Sequence, residues 1–165
     1  MPDQKRSRTP YVPPRNRPLA GELYAIAGQV GFFTVAAYGR SVPFTSAELN
    51  DAAVEILLAE RRRMRIDLYA YCLMPEHLHI LVCPREDGCC MLTFMDEFKG
   101  KSTRVSWAHG WHGKLWQKRS HDHLVRRSQD VLGIVRYIHD NPAQQGLATT
   151  YEGYRWLDTP DPSSG

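Results

Sequence analysis

His77-Leu78-His79 is the sharpest chemical feature of this sequence. In a β-strand, alternate residues point to one face, and the two backbone positions lie about 7 Å apart. Two imidazoles at that spacing can converge on one metal ion, each nitrogen about 2.1 Å from it. Two structural histidines would show the same spacing, so the pair needs further residues to read as a ligand set. These come from the run Val131-Leu-Gly-Ile-Val-Arg-Tyr137-Ile-His-Asp-Asn141. Val131, Ile134, Val135 and Ile138 follow the spacing of a buried helix stripe. Tyr137 lies about 110° from the centre of that stripe on a helical wheel, so its pattern is not that of a core residue. Asn141 falls one turn further along the same edge, and Gly133 one turn before it. Glycine there costs about 1 kcal/mol of helix propensity relative to alanine and leaves space beside the tyrosine. A tyrosine can attack a phosphodiester as a covalent nucleophile. A free phenol titrates near about pH 10, so a nearby cation would help by stabilising the phenolate and the charge on a pentavalent phosphoryl group.

The charge distribution points to a polyanionic partner. Residues 1–18 carry Lys5, Arg6, Arg8, Arg15 and Arg17 against Asp3, while the rest of the chain is near neutral. Within that rest, residues 99–127 hold Lys99, Lys101, Arg104, Lys114, Lys118, Arg119, Arg126 and Arg127 against Asp122 alone. Trp107, Trp111 and Trp116 are interleaved with them. Cations among aromatics suit single-stranded nucleic acid, whose phosphates pair with charge and whose bases stack on rings. With 42% hydrophobic and 24% charged residues, the chain can build an ordinary core and is not globally disordered. No run approaches the roughly 20 apolar residues of a membrane span, and the N-terminus lacks a secretory h-region. Cys72, Cys83, Cys89 and Cys90 form no Cys-x-x-Cys pair, which argues against a zinc ribbon and for free thiols in a reducing cytoplasm.

The elements that must position these residues follow from periodicity and punctuation. Residues 1–18 read as a basic, proline-rich flexible tail, 19–158 as one domain, and 159–165 as a fraying end. Gly31 to Ala37 reads as a strand. Thr45 or Ser46 caps a helix that carries Leu49, Ala53, Ile56, Leu57 and Glu60 and runs to about Arg63. Ile66 to Met74 is a second strand, a turn follows at Pro75, and His77 to Cys83 is a third. Leu78, Ile80 and Val82 then face away from the histidines, which share their side with Leu81 and Cys83. A helix spans about Cys89 to Ala108, a short strand Lys114 to Ser120, and a last helix Ser128 to Asn141-Pro142, where the residue before proline resists the helical region. A hairpin inside that order predicts a ferredoxin-like α+β fold: an antiparallel sheet with helices packed on it. Arg61, Arg62 and Arg63 complement a helix dipole, and His109, His112 and His139 read as surface residues.

Tyr69-Ala-Tyr-Cys-Leu-Met-Pro-Glu-His-Leu-His-Ile-Leu-Val82 resembles the histidine-hydrophobic-histidine (HUH) block of single-tyrosine transposases. Tyr137-Ile-His-Asp-Asn-Pro-Ala-Gln-Gln-Gly-Leu147 is similar to the tyrosine block of their REP-associated branch. Phe98-Lys-Gly-Lys-Ser-Thr103, and Leu115-Trp-Gln117 with His121-Asp-His123, also match it, so four blocks stand in order over about residues 31–147. The resemblance implies an HUH endonuclease fold and a DNA transposase that nicks and rejoins single-stranded DNA at hairpin-flanked sites through a 5′-phosphotyrosine. It implies Tyr137 as nucleophile and His77, His79 and Asn141 as ligands of a divalent metal. Mn²⁺ suits two imidazoles better than Mg²⁺ does, and the family expectation includes both. Many insertion-sequence relatives have glutamine at the position of Asn141; asparagine there is what the resemblance to the REP-associated branch leads one to expect. Residues expected on DNA are Lys99, Lys101, Arg104, Trp116, Gln117, Lys118, Arg119, His123 and Arg126, with His121 structural or DNA-contacting. The partner would be single-stranded or hairpin DNA, with no membrane, in a bacterial cytoplasm at the nucleoid, and a homodimer and a monomer both stay open. A rolling-circle replication initiator or relaxase shares the two motifs. A domesticated hairpin-binding protein and an RNA-binding ferredoxin-like domain are the non-nicking alternatives.

Overall fold

The computed structural model describes residues 21–148 and 153–162. The expected tail at 1–18 and the last residues, 163–165, lie outside them. In chain order come β1 (Val30–Ala36), α1 (Ala47–Arg63), β2 (Ile66–Leu73), β3 (His77–Pro84), α2 (Met91–Ala108), β4 (His121–Val125), α3 (Ser128–Gln144) and β5 (Leu157–Asp158). The strands form one sheet in the order β4-β1-β3-β2-β5, antiparallel throughout. The first four strands and two helices are the βαββαβ arrangement of a ferredoxin-like domain. Among the described residues no helix is long and apolar enough to cross a membrane.

The two faces of the sheet have different tasks. On one, Phe33, Val35, Leu68, Leu78, Ile80 and Val82 pack against α1 and α2 through Leu49, Ala53, Leu57, Phe94, Met95 and Phe98. Each large apolar side chain buried in this layer contributes about 1.5–3 kcal/mol. On the other face, Ala70, Cys72 and Leu81 pack against Val131 and Ile138 of α3. A β-bulge between Leu68 and Ala70 resets the alternation in β2, so Leu68 and Tyr71 face α1 and α2 while Ala70 and Cys72 face α3.

Local signals explain much of this framework. Ser46 caps α1, its hydroxyl accepting from the Leu49 N–H at 3.2 Å. Glu60, on the apolar stripe of α1, is only 4% exposed. Its carboxylate accepts from Arg63 at 2.5 Å and from Lys101, which makes its burial tolerable.

Three expectations change. The strand expected at Lys114–Ser120 is an isolated bridge between Trp116 and Ala37, and the strand proper begins at His121. Alternation in His121-Asp-His-Leu-Val125 fits a sheet edge, with His121 and His123 opposite Thr34 and Phe32. The last helix does not stop before Pro142 but carries that proline, buried, in its final turn. A Schellman motif ends it: Gly146, at φ 71°, donates its N–H to Ala143 O at 3.1 Å, and Leu147 donates to Pro142 O at 2.8 Å. The segment 159–162, expected to fray, is pinned to β2. Asp161 accepts from the Leu68 N–H at 2.9 Å, donates its own N–H to Leu68 O at 3.0 Å, and pairs with Arg61 at 2.5 Å.

Candidate active site

β3 is a central strand, hydrogen-bonded on both sides, so its side chains are held firmly. Leu78 and Ile80 anchor it in the α1–α2 layer. His77 and His79 therefore project from the opposite face, toward α3. Their Nε2 atoms lie 2.9 Å apart.

The remaining ring nitrogens are fixed by neighbours. His77 Nδ1 lies 2.8 Å from the Glu76 carboxylate, which selects the Nδ1–H form of His77. His79 Nδ1 lies 2.9 Å from Thr34 Oγ1, its cross-strand partner on β1. Asn141 Nδ2 donates to His79 Nε2 at 3.2 Å, so Nε2 carries a lone pair and Nδ1 the hydrogen. His79 is 4% exposed, and burial, helped by the neighbouring His77, pushes its pKa down to about 3. A neutral His79 is thus maintained across the physiological range.

The two Nε2 atoms thus meet beside Asn141 Oδ1, which is buried without a partner. A buried acceptor left unpaired costs about 1–3 kcal/mol. A divalent cation would take all three atoms as ligands, and imidazoles with an amide oxygen suit a transition ion. Among the described residues no three His, Cys, Asp or Glu side chains are grouped to hold an ion. The donor set is two imidazoles and an amide, open to oxygens from outside the protein.

Tyr137 lies one helical turn before Asn141, and the two differ sharply in burial: 47% and 5% exposed. The phenol ring meets His79 edge-on at 5.4 Å between centroids and Phe32 at 6.2 Å. The nucleophile candidate is thus an exposed hydroxyl-bearing ring braced against the imidazole pair. A Cβ built on Gly133, one turn back, meets no atom within 4 Å.

The sequence reading left out three participants. Phe32 touches His79, His123 and Tyr137 together, whereas its strand pattern alone showed an apolar residue. Thr34 enters only through the β1–β3 register, which the sequence does not display. Glu76 was legible as the neighbour of His77 but not as its hydrogen-bond partner.

The residues expected on DNA are brought together only in part, and not at Tyr137. Lys99, Lys101 and Arg104 ride on α2, across the sheet from Tyr137. Lys99 is half-buried, and its ammonium donates to the carbonyls of Gln117 and Lys118 at 3.3 and 3.4 Å; burial lowers its pKa. Lys101 is bound to Glu60. Trp116 is a core residue, not a stacking platform: it is 6% exposed, stacks on Phe44 at 4.9 Å and donates its indole N–H to Ser102 at 2.8 Å. Its apolar ring outweighs its basic neighbours. Gln117, Lys118, Arg119 and Arg126 are exposed near β4. His123, half-buried against Phe32, has its pKa lowered by burial. Of the four cysteines, all free, Cys72 and Cys83 are buried.

A ferredoxin-like sheet presenting a His-x-His pair to a helix-borne tyrosine is the arrangement expected of an HUH-type domain. The chain belongs to the IS200-like transposase family, whose sequence model matches residues 29–141. The REP-associated tyrosine transposase of Escherichia coli (strain K12) is 28% identical over 124 residues, covering 74% of this chain and 72% of that protein. A solved REP-associated tyrosine transposase, bound to a REP hairpin, matches with a TM-score of 0.68 and 25% identity, over 81% of this chain and 78% of that one.

Proposed function

We propose that this chain nicks and rejoins single-stranded DNA beside a hairpin, with Tyr137 as the covalent nucleophile. The observation that carries the reading is the meeting of an exposed phenol with a paired imidazole set and an orphaned buried amide oxygen. The similar structure that holds a REP hairpin supports hairpin DNA as the substrate class.

The chemistry is balanced at phosphorus. The Tyr137 oxygen forms a bond to the scissile phosphate and the bond to the 3′-oxygen breaks. The phenol proton leaves, and the 3′-oxygen takes one up as a free hydroxyl. The strand stays attached through its 5′-phosphate, and attack by a 3′-hydroxyl on the phosphotyrosine reverses the step and rejoins DNA. His77, His79 and Asn141 would hold Mg²⁺ or Mn²⁺, which supplies Lewis-acid stabilisation of charge on the phosphoryl oxygens when bound. Glu76 and Thr34 keep the two imidazoles in the tautomers that point lone pairs at that position. Phe32 and His79 brace the phenol so that its oxygen faces outward.

The test uses hairpin oligonucleotides copied from the DNA flanking the gene and labelled at the 3′ end, the end that stays with the protein. Wild type with Mn²⁺ is expected to give an SDS-stable adduct that maps to Tyr137. Tyr137→Phe keeps the ring against His79 and Phe32, so it should bind the hairpin yet neither nick nor crosslink. Nicking by Tyr137→Phe near the wild-type rate would assign the attack to water or another residue and overturn the proposal.

A further inference from the structure

Tyr38 is an aromatic side chain that the chemistry above does not use, yet its setting is unusually constrained. It stands 49% exposed just past the end of β1. Ala36 pairs with His77. Ala37 is extended at φ −65°, ψ 148°, so the alternation Phe32, Thr34, Ala36 continues to Tyr38. The ring therefore belongs to the same face as the imidazole pair, about 7 Å along the strand from the residue opposite His77.

The backbone beneath this ring is held from several directions. The Tyr38 N–H donates to Leu115 O at 2.9 Å, and its carbonyl accepts from the Ser41 N–H and hydroxyl at 3.2 and 2.7 Å. The Ala37 N–H donates to Glu76 O at 2.8 Å. The chain then reverses through Gly39 and Arg40, both left-handed at φ 64° and 56°. A non-glycine residue there costs on the order of 1 kcal/mol and persists only where its surroundings impose it.

Lys114 places its ammonium 5.1 Å from the centre of the Tyr38 ring. The loop that carries Lys114 is also braced: Trp107 Nε1 donates to Gly113 O at 2.8 Å and Trp111 Nε1 to Lys114 O at 3.2 Å. Both tryptophans act through their indole N–H groups, so no acidic side chain is needed to hold the loop, and its charge is left over. Among the described residues, Arg40, Lys114, Lys118 and Arg119 have no carboxylate within ion-pair distance, whereas Arg61, Arg63, Arg65, Arg85, Lys101 and Arg155 all do.

An exposed ring on a fixed backbone, beside uncompensated cations, is what an unpaired nucleotide recognises: a π face for the base and charge for the phosphate. We propose that Tyr38 and Lys114 form a subsite for one unpaired nucleotide of the DNA strand, the base stacking on the Tyr38 ring and the Lys114 ammonium holding the neighbouring phosphate. This rests on the single-stranded DNA reading above and deepens it, since it fixes where the strand runs beyond His77.

Two fluorescein-labelled probes separate the terms: a 12-mer of deoxythymidine and a 12-mer of abasic deoxyribose phosphate, both read by anisotropy. Tyr38→Ala is expected to weaken the thymidine probe about 5- to 100-fold and to leave the abasic probe unchanged. Tyr38→Trp should bind at least as well as wild type. Lys114→Ala should weaken both probes and flatten the dependence of log affinity on log salt by about 0.7. Tyr38→Leu, which keeps apolar bulk without a π face, should repeat the alanine result if that variant does not fold. Equal effects of Tyr38→Ala on both probes, or none on either, overturn the subsite while leaving the DNA reading intact. A folded wild type that binds neither probe overturns the single-stranded reading and the subsite with it.

Discussion

Replacing Asn141 with leucine should leave the metal-free protein at least as stable as wild type while weakening its response to Mn²⁺. In wild type the Asn141 amide donates one hydrogen bond, to His79 at 3.2 Å, and leaves Oδ1 buried and unpaired. Leucine forfeits that hydrogen bond, about 1 kcal/mol, but removes an orphaned acceptor that costs about 1–3 kcal/mol. Leucine also has the better helix propensity, by a few tenths of about 1 kcal/mol. His79 is not left stranded. Without the amide it can carry its hydrogen on Nε2, donate to His77 Nε2 2.9 Å away and accept from Thr34 on Nδ1. The larger side chain in a position only 5% exposed opposes part of the gain. The balance is a change between zero and about 2 kcal/mol in favour of the variant, a rise of up to roughly 8 °C in melting temperature for a domain of this size. Mn²⁺ at a hundred times its dissociation constant should add about 2.7 kcal/mol to wild type. A ten- to hundredfold weaker site would cut that gain to about 1.4–0.4 kcal/mol at the same Mn²⁺ concentration. Urea unfolding followed by circular dichroism, in EDTA and in Mn²⁺, measures both quantities. A loss of 2 kcal/mol or more in EDTA would show that the amide is structural. An undiminished Mn²⁺ response would remove Asn141 from the ligand set.

Two further outcomes follow from the same geometry. Gly133→Ala places a methyl group where nothing lies within 4 Å, so stability in urea should rise by about 1 kcal/mol; if DNA closes over this row, hairpin affinity should fall in the same variant. In EDTA, His79 stays neutral in the folded chain down to about pH 3, whereas an unfolded histidine takes its proton near about pH 6.5. The folded state therefore binds fewer protons in that window. The stability this neutral group contributes is complete above pH 6.5 and lost as pH falls toward 3, with a slope approaching about 1.4 kcal/mol per pH unit. Carboxylates add slope of the same sign, so the reading is the difference between wild type and His79→Gln; identical slopes between pH 6 and 4.5 would refute it.

What was legible in the sequence was local. The two-residue period of β3 and the stripe of α3 each name a buried face without reference to anything distant, and Tyr137 stands off that stripe as its wheel position requires. The capping role of Ser46 is likewise decided within four residues. What was not legible depends on pairing across the chain. Lys101 looked like a free cation because Glu60 is 41 residues away. Trp116 looked like a base platform because nothing near it in sequence announces Phe44. Thr34 became a partner of His79 only when the hairpin had set its register against β1. The helix running through Pro142 is a similar case. Proline removes one backbone donor, but its burial and the Gly146 cap hold the turn that a purely local rule would end.

The two faces of the sheet differ in what they hold. On the α1–α2 face the apolar residues interlock, and Glu60, buried there, is bound by two cations, although Asn50 Oδ1 and Arg61 Nε on α1 are also buried without a partner. The α3 face gathers its exceptions at the site: Asn141 Oδ1 is buried without a partner, the two imidazole Nε2 atoms meet at 2.9 Å, and Tyr137 stands half in water. Such a cluster persists because β3 is held on both edges and backed by the α1–α2 core. The cations divide in the same way. Arg61, Arg63 and Arg65 at the α1–β2 end are held in ion pairs, whereas among the described residues Arg40, Lys114, Lys118 and Arg119 make none. By strand alternation the Tyr38 ring shares this face with the imidazole pair, the orphaned Asn141 oxygen and the exposed Tyr137 phenol, so a phosphodiester strand laid across it would meet all of them.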